Sequence, residues 1–400
     1  MKIAQVNSVC SGSTGRISAG VARVLSAGGD QSLLLYGRGG AADGIDCERI
    51  ESTAEFQLHT LYARFSDRQG FASGAATHRL VERIKEYGPD VIQLHNLHGY
   101  YLNYRVLFDY LRRAETPVVW TLHDCHAFTG HCAFFDMAAC DKWKTGCGRC
   151  PQKRAYPKSI LFDSSAKNYA EKRALFTGLK NLTIVTPSDW LKLLAEQSFL
   201  GGYPIKTIYN GIDPAVFTPT ESDLRNRFGI GDKKLLLGVA NIWEPRKGLT
   251  DFLALAEKLD SDAKVVLIGL SERQIKSLPQ SVIGIGRTAN AGELAAWYTA
   301  ADVFVNPTLE DNFPTTQIEA LACGTPVVSY DTGGCAEALD ETCGVVVPKG
   351  DVEALVEGVD YALEKSDRQA CLKRAANFNQ NDRFAEYAAL YRSLSREAKP

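Results

Sequence analysis

Asn306-Pro307-Thr308-Leu309-Glu310-Asp311-Asn312-Phe313-Pro314-Thr315-Thr316-Gln317-Ile318-Glu319-Ala320-Leu321-Ala322-Cys323-Gly324-Thr325-Pro326-Val327-Val328 follows an apolar run ending at Val305 and leads into a second one. That pattern predicts a strand, a loop, a short helix and another strand. Pro314 suits the first turn of the helix, where its missing N–H is not needed. Gly324 and Pro326 end it. The start of the helix, around residues 313–316, would present unpaired backbone N–H groups, which favour a phosphate. Asp311 stands just ahead of the helix and Glu319 inside it. Carboxylates repel phosphate, but they accept hydrogen bonds from hydroxyls on either side of it, such as a ribose diol and a sugar ring.

The same alternation extends outward in both directions. Strands are predicted at residues 234–240, 264–268, 282–285, 303–305, 326–329 and 344–347, with helices such as 250–259 and 293–300 between them. The first half shows strands at 2–9, 32–36, 91–94, 118–122 and 182–185, with helices such as 77–87 and 104–113. Pro89 and Pro117 each precede an apolar run, a sensible place for a strand to begin. Repeated strand–helix–strand spacing predicts an α/β chain with two Rossmann-like, doubly wound parallel sheets. Turn signals at 200–204 and 210–214 mark the boundary. The expected domains are 1–200, with a cysteine-rich insert at 125–158, and 201–380. A last helix in 381–400, with apolar Phe384, Tyr387, Leu390 and Leu394, is expected to pack back across both. Two such domains facing each other would leave a cleft at the carboxyl ends of their strands, where ligands of such folds bind.

Composition narrows the classes. The 400 residues are 45% hydrophobic and 10% aromatic, enough for large cores and too much for a disordered chain. The 34 Gly and 15 Pro lack a collagen period. Residues 1–200 carry 24 Lys and Arg against 19 Asp and Glu, and the remainder 21 against 28. The first half is therefore the more suited to an anionic partner. No stretch is long and apolar enough for a transmembrane helix, and the start lacks a signal-peptide pattern. A cytoplasmic location is expected, with attachment to the inner membrane face left open. Eleven Cys is an odd count, against a simple disulfide framework.

The segment 306–328 resembles the acidic–seven–Glu motif of GT-B fold glycosyltransferases, in particular the retaining glycosyltransferase family 4 (group 1). The resemblance implies that Glu319 holds the nucleotide ribose and Asp311 the donor sugar. It implies that Asn312, Phe313, Pro314, Thr315 and Thr316 line the sugar and diphosphate. Asp311 stands where the family usually has Glu.

Three further segments fit that reading. Residues 237–248 end in Pro245-Arg246-Lys247-Gly248, and Lys247 resembles the family lysine that contacts the diphosphate. An Arg six residues earlier is common in the family; here Asn241 stands there, and Arg246 is the candidate substitute. Residues 9–17 form a Gly-rich turn after the first strand, in which Gly15 would let backbone approach a phosphate or sugar. It is not the G-x-G-x-x-G pattern of nicotinamide binders. Trp120-Thr121-Leu122-His123-Asp124 closes a strand, and His123 resembles the family His beside the reacting sugar, for positioning and charge stabilisation. His95 and His98 are lesser candidates for acceptor binding.

Cys132, Cys140, Cys147 and Cys150 are spaced x7, x6 and x2. Four thiols so close in a reduced protein suggest a structural zinc site, with uncoordinated thiols or a reversible disulfide as alternatives. Residues 142–158 hold Lys142, Lys144, Arg149, Lys153, Arg154 and Lys158 and no acid. That loop suits an anionic membrane surface and a lipid-linked acceptor.

Taken together, these readings predict an enzyme that moves a sugar from a nucleotide-diphosphate sugar to a hydroxyl of a glycan or lipid-linked acceptor. The family implies retention of configuration and a role in surface polysaccharide synthesis. No cofactor is expected for catalysis, and nucleic acid is not expected as a partner. The alternatives are a nucleotide-sugar epimerase on the same fold, or a non-catalytic module that binds nucleic acid or a partner through the cysteine-rich basic loop.

Overall fold

The computed structural model describes residues 1–397 and divides into two compact units. The first comprises Met1–Tyr209 together with the chain from Asn381 on; the second is Asn210–Gln380.

The first unit is a seven-stranded parallel sheet of β1 Lys2–Val9, β2 Gln31–Arg38, β3 Asp46–Arg49, β4 Val91–Leu94, β5 Val118–Thr121, β6 Leu182–Thr186 and β7 Ile205–Thr207. Its order is β3-β2-β1-β4-β5-β6-β7. The second unit holds β8 Lys234–Val239, β9 Ala263–Ile268, β10 Val282–Ile285, β11 Val303–Asn306, β12 Val327–Tyr330 and β13 Gly344–Val347, in the order β10-β9-β8-β11-β12-β13. Both sheets reverse direction beside their first strand, and such a switch point is where doubly wound sheets open a crevice for ligands. Central strands are buried on both faces, so they read as short apolar runs; β4, β5, β6, β11 and β12 have every residue buried.

The edge strands β3 and β7 carry no such run. Asp46-Cys47-Glu48-Arg49 is charged and Ile205-Lys206-Thr207 is three residues long, as strands at a sheet edge tend to be. Because β7 pairs with β6, the first unit extends past residue 200 to Tyr209.

The last helix, Gln380–Glu397, is part of the first unit's core. Phe384, Tyr387, Leu390 and Tyr391 are buried with Ile3, Val21, Leu25, Val91, Val119 and Val185. The Tyr391 hydroxyl donates to Gln93 Oε1 at 2.8 Å, and Arg392 pairs with Asp30 at 2.9 Å. Asp30 also holds the N-terminal ammonium at 2.8 Å. Among the described residues no helix is long and apolar enough to cross a membrane.

Candidate active site

In the second unit the loops after β8 and β11 meet. The turn Pro245–Lys247 and the following Gly248 lead from the first of these into the helix Leu249–Lys258. The Arg246 carbonyl accepts from Leu309 N at 2.7 Å and from the Thr308 hydroxyl at 3.1 Å, while Arg246 Nη1 donates to the Glu310 carbonyl at 3.1 Å. This clamp brings Lys247 Nζ onto Asp311 Oδ2 as an ion pair, both side chains about four-fifths buried. Burial alone would raise the Asp311 pKa. The Lys247 and Arg246 charges, the Lys247 hydrogen bond and the Asn312 N–H outweigh burial and hold it below the usual carboxylate range.

The helix that follows is Thr315–Ala322. Pro314 is its N-cap residue, one place earlier than its expected position in the first turn, and no side chain caps the helix. The first amides of such a helix have no intrahelical acceptor and point out of its end, with the positive end of the dipole behind them. Thr315 and Thr316 begin the helix at this end. Glu319 is buried just over one turn further on and accepts from the Tyr298 hydroxyl at 3.1 Å. The Phe313 side chain is buried 5.6 Å from the Phe378 ring and anchors the loop in the core.

Gly333 braces the acidic loop from behind. Its φ is +56° and an added Cβ would lie 1.7 Å from the Asp311 carbonyl oxygen. Gly333→Ala is expected to destabilise the protein by about 1–3 kcal/mol from backbone strain alone and to displace Asp311. A melting temperature equal to wild type would contradict that close approach.

In the first unit Gly15 lies in the first turn of the helix Ser13–Ala27, where a Cβ would meet the Cys10 carbonyl carbon at 2.6 Å. The chain itself therefore requires glycine there. The ends of β4 and β5 carry a histidine network. Gln5 Nε2 donates to the Ser18 carbonyl and the Ser32 hydroxyl, which turns Gln5 Oε1 toward His95 Nε2 at 2.9 Å. An amide oxygen only accepts, so His95 carries its proton on Nε2 and accepts on Nδ1 from His123 Nε2 at 3.2 Å. Burial holds the His123 pKa at about 4, with Asp124 opposing and His98 reinforcing. His123 is therefore neutral near pH 7.

His98 has a role the sequence left open. Its Nε2 lies 2.7 Å from Asp124 Oδ2 and its Nδ1 3.0 Å from the Tyr156 hydroxyl. Asp124 also accepts the His126 N–H at 2.9 Å. His95, His98, His123, Asp124, His126 and Tyr104 are among the residues that line a small recess of about 20 Å³. Behind it the buried Lys172 ammonium donates to the His126 and Thr129 carbonyls at 2.8 and 3.1 Å. Burial lowers its pKa to about 7. Asp124, His126 and Lys172 gave no sequence signal beyond the adjacency of His123 and Asp124.

Burial also holds His59 at about 4 and pushes His95 and His126 well below 6.5. An unfolded imidazole takes up a proton near pH 6.5, whereas these do so only near pH 4 or below. Between those values the unfolded chain binds more protons, so stability falls as pH drops. Each imidazole held at about 4 contributes a loss on the order of 3 kcal/mol once fully titrated. Urea midpoints measured from pH 7 down to pH 4 should fall steeply; a flat profile would refute this.

Cys132, Cys140, Cys147 and Cys150 lie close enough to interact with one another. Cys132 and Cys150 share a thiol–thiol hydrogen bond that raises the pKa of Cys132 and lowers that of Cys150. Cys147 Sγ accepts the Gly130 N–H at 3.2 Å. Among the described residues no three His, Cys, Asp or Glu side chains are gathered to hold a metal.

Residues 19–216 match the model of Glycosyltransferase Family 4, and residues 233–365 that of Glycosyl transferases group 1. The chain belongs to the family 4, group 1 glycosyltransferases. This glycosyltransferase is 27% identical over 365 residues, 86% of its own length and 85% of the other, to WcaC of Escherichia coli (strain K12), named for a glycosyl transferase role in colanic acid biosynthesis. It is 26% identical over 220 residues to the lipopolysaccharide core biosynthesis mannosyltransferase LpsB of Rhizobium meliloti (strain 1021), covering 48% and 62% of the two chains. The sucrose-phosphate synthase of Thermosynechococcus elongatus superimposes with a TM-score of 0.72 at 18% identity over 98% of both chains. Anabaena HepE, solved with UDP, gives 0.69 at 17% over 98% and 100%. The fold is GT-B.

Proposed function

We propose that this glycosyltransferase moves a sugar from a nucleoside diphosphate sugar to a hydroxyl of a glycan or lipid-linked acceptor, with retention, in surface polysaccharide assembly. The observation that carries this is the Lys247–Asp311 pair set beside the uncapped helix start at Thr315 and the buried Glu319. The diphosphate takes Lys247 from Asp311 and receives the helix amides, which offset the charge that develops as it departs. Arg246 adds a second positive charge in place of the Arg missing at position 241. Asp311, released, accepts from a hydroxyl of the donor sugar, and Glu319 accepts from the ribose. The neutral His123 hydrogen-bonds to a sugar hydroxyl, and the departing phosphate takes the acceptor proton. The polysaccharide roles named for WcaC and LpsB, and the UDP bound by HepE, support this reading.

The test is calorimetry of the purified chain against a panel of nucleoside diphosphates and their sugars, followed by NMR of the anomeric proton in the product. Binding of a nucleoside diphosphate sugar and a product with the donor's configuration are expected. An inverted product removes the retaining mechanism, and binding that survives Glu319→Ala unchanged removes the ribose assignment.

A further inference from the structure

The helix Thr53–Ser66 turns its inner side to the protein through His59 and Ala63, which are buried. Its outer side is apolar as well. Leu58, Leu61, Tyr62 and Phe65 recur at helical spacing and are all exposed, Leu58 by 68%. An amphipathic helix of a soluble protein normally shows the reverse. The segment Ile160-Leu161-Phe162 runs beside this stripe, with Ile160 N donating to the Arg64 carbonyl at 2.7 Å and Phe162 N to the Phe65 carbonyl at 3.2 Å. Its three side chains are exposed too, Phe162 by 64%. Seven large apolar side chains thus form one continuous surface, and contiguous patches of this kind mark interaction sites.

The flank of this surface is basic. Lys153 Nζ donates to the Leu161 carbonyl at 3.0 Å, Arg154 and Lys158 are exposed on the same loop, and Arg64 is exposed on the helix itself. The neighbouring acids face other partners: Asp163 accepts from the Cys150 and Ser165 amides, and Glu55 is tied to Ser52 and Arg79. We infer that the face made by Leu58, Leu61, Tyr62, Phe65 and residues 160–162, with its rim of Arg64, Lys153, Arg154 and Lys158, docks on an anionic lipid bilayer. Apolar side chains enter the acyl boundary while basic ones meet the headgroups. A second copy fits less well, because a two-fold contact sets the same patch against itself and brings basic rim to basic rim. The same loop carries Tyr156, whose hydroxyl reaches His98 at the recess. The inference deepens the reading of a lipid-linked acceptor, since the docking face then borders the place where its hydroxyl is received.

Sedimentation with vesicles of phosphatidylglycerol and phosphatidylcholine tests it without any acceptor present, so its failure is separate from that of the transfer reaction. The full chain should pellet with these vesicles and stay in solution with phosphatidylcholine alone. Leu58→Gln/Leu61→Gln/Phe162→Ser should lower the partition coefficient at least about tenfold. Arg154→Glu/Lys158→Glu should lower it similarly at low salt and less at high salt. Circular dichroism and nucleotide binding should match wild type in both variants. Equal pelleting of wild type and the apolar variant overturns the inference. So does a dimer by light scattering that the apolar variant dissolves while wild type leaves vesicles unbound.

Discussion

Lys247→Met is expected to lower kcat by about 100- to 1000-fold, the range for removing a group that meets charge developing in a transition state. The side-chain geometry makes the experiment interpretable. Lys247 and Asp311 are partly buried against each other, so removing one leaves the other charged and unpaired, which costs stability as well as function. Lys247→Met/Asp311→Asn removes both charges. The double variant should regain most of the melting temperature lost by the single one and none of the activity. Recovery of activity along with stability would mean that Lys247 serves the fold and does not meet the diphosphate.

Asp124→Asn is expected to lower kcat/KM for the acceptor by about 10- to 100-fold, the order expected when a hydrogen bond to a charged group that holds His98 in place is lost. Donor affinity should stay within about twofold of wild type, since Lys247, Asp311 and Glu319 are untouched. Asn keeps an oxygen that can accept the His126 amide, so the turn at Cys125–Phe128 should survive. What changes is the partner of His98 Nε2, which loses a carboxylate. His98 then has no fixed tautomer at the recess. A raised acceptor KM beside an unchanged donor dissociation constant assigns the pair to the acceptor. An equal loss of donor affinity would end that assignment. Tyr156→Phe, which removes only the hydroxyl on His98 Nδ1, should give a smaller change of the same kind.

The two sheets were legible because their central strands are buried on both faces. Val303-Phe304-Val305 and Val118-Val119-Trp120 announce themselves as apolar runs, each closed by a turn. β3 and β7 were silent because an edge strand need not be apolar. The strand, loop, helix and strand over 306–328 were legible because two apolar runs flank Pro314 and Gly324. The pairing of Lys247 with Asp311 was not, because it depends on a clamp between residues 62 and 64 positions apart, made through carbonyl groups that leave no mark in the sequence. The docking face was hidden for a similar reason. The stripe in Thr53–Ser66 has an ordinary helical pattern, and only the burial of His59 and Ala63 shows that the apolar side is the outer one. Attention fell instead on the basic loop, which forms the rim of that face.

The return of the last helix to the first unit sets an order of events on the ribosome. When residue 209 has been made, the groove that takes Phe384, Tyr387 and Tyr391 is still open, and Gln93 and Asp30 await Tyr391 and Arg392. The whole second unit must be translated before the first is sealed. Nascent chains halted before codon 380 should therefore remain sensitive to protease in the first unit, and a separately supplied peptide of the last helix should protect them.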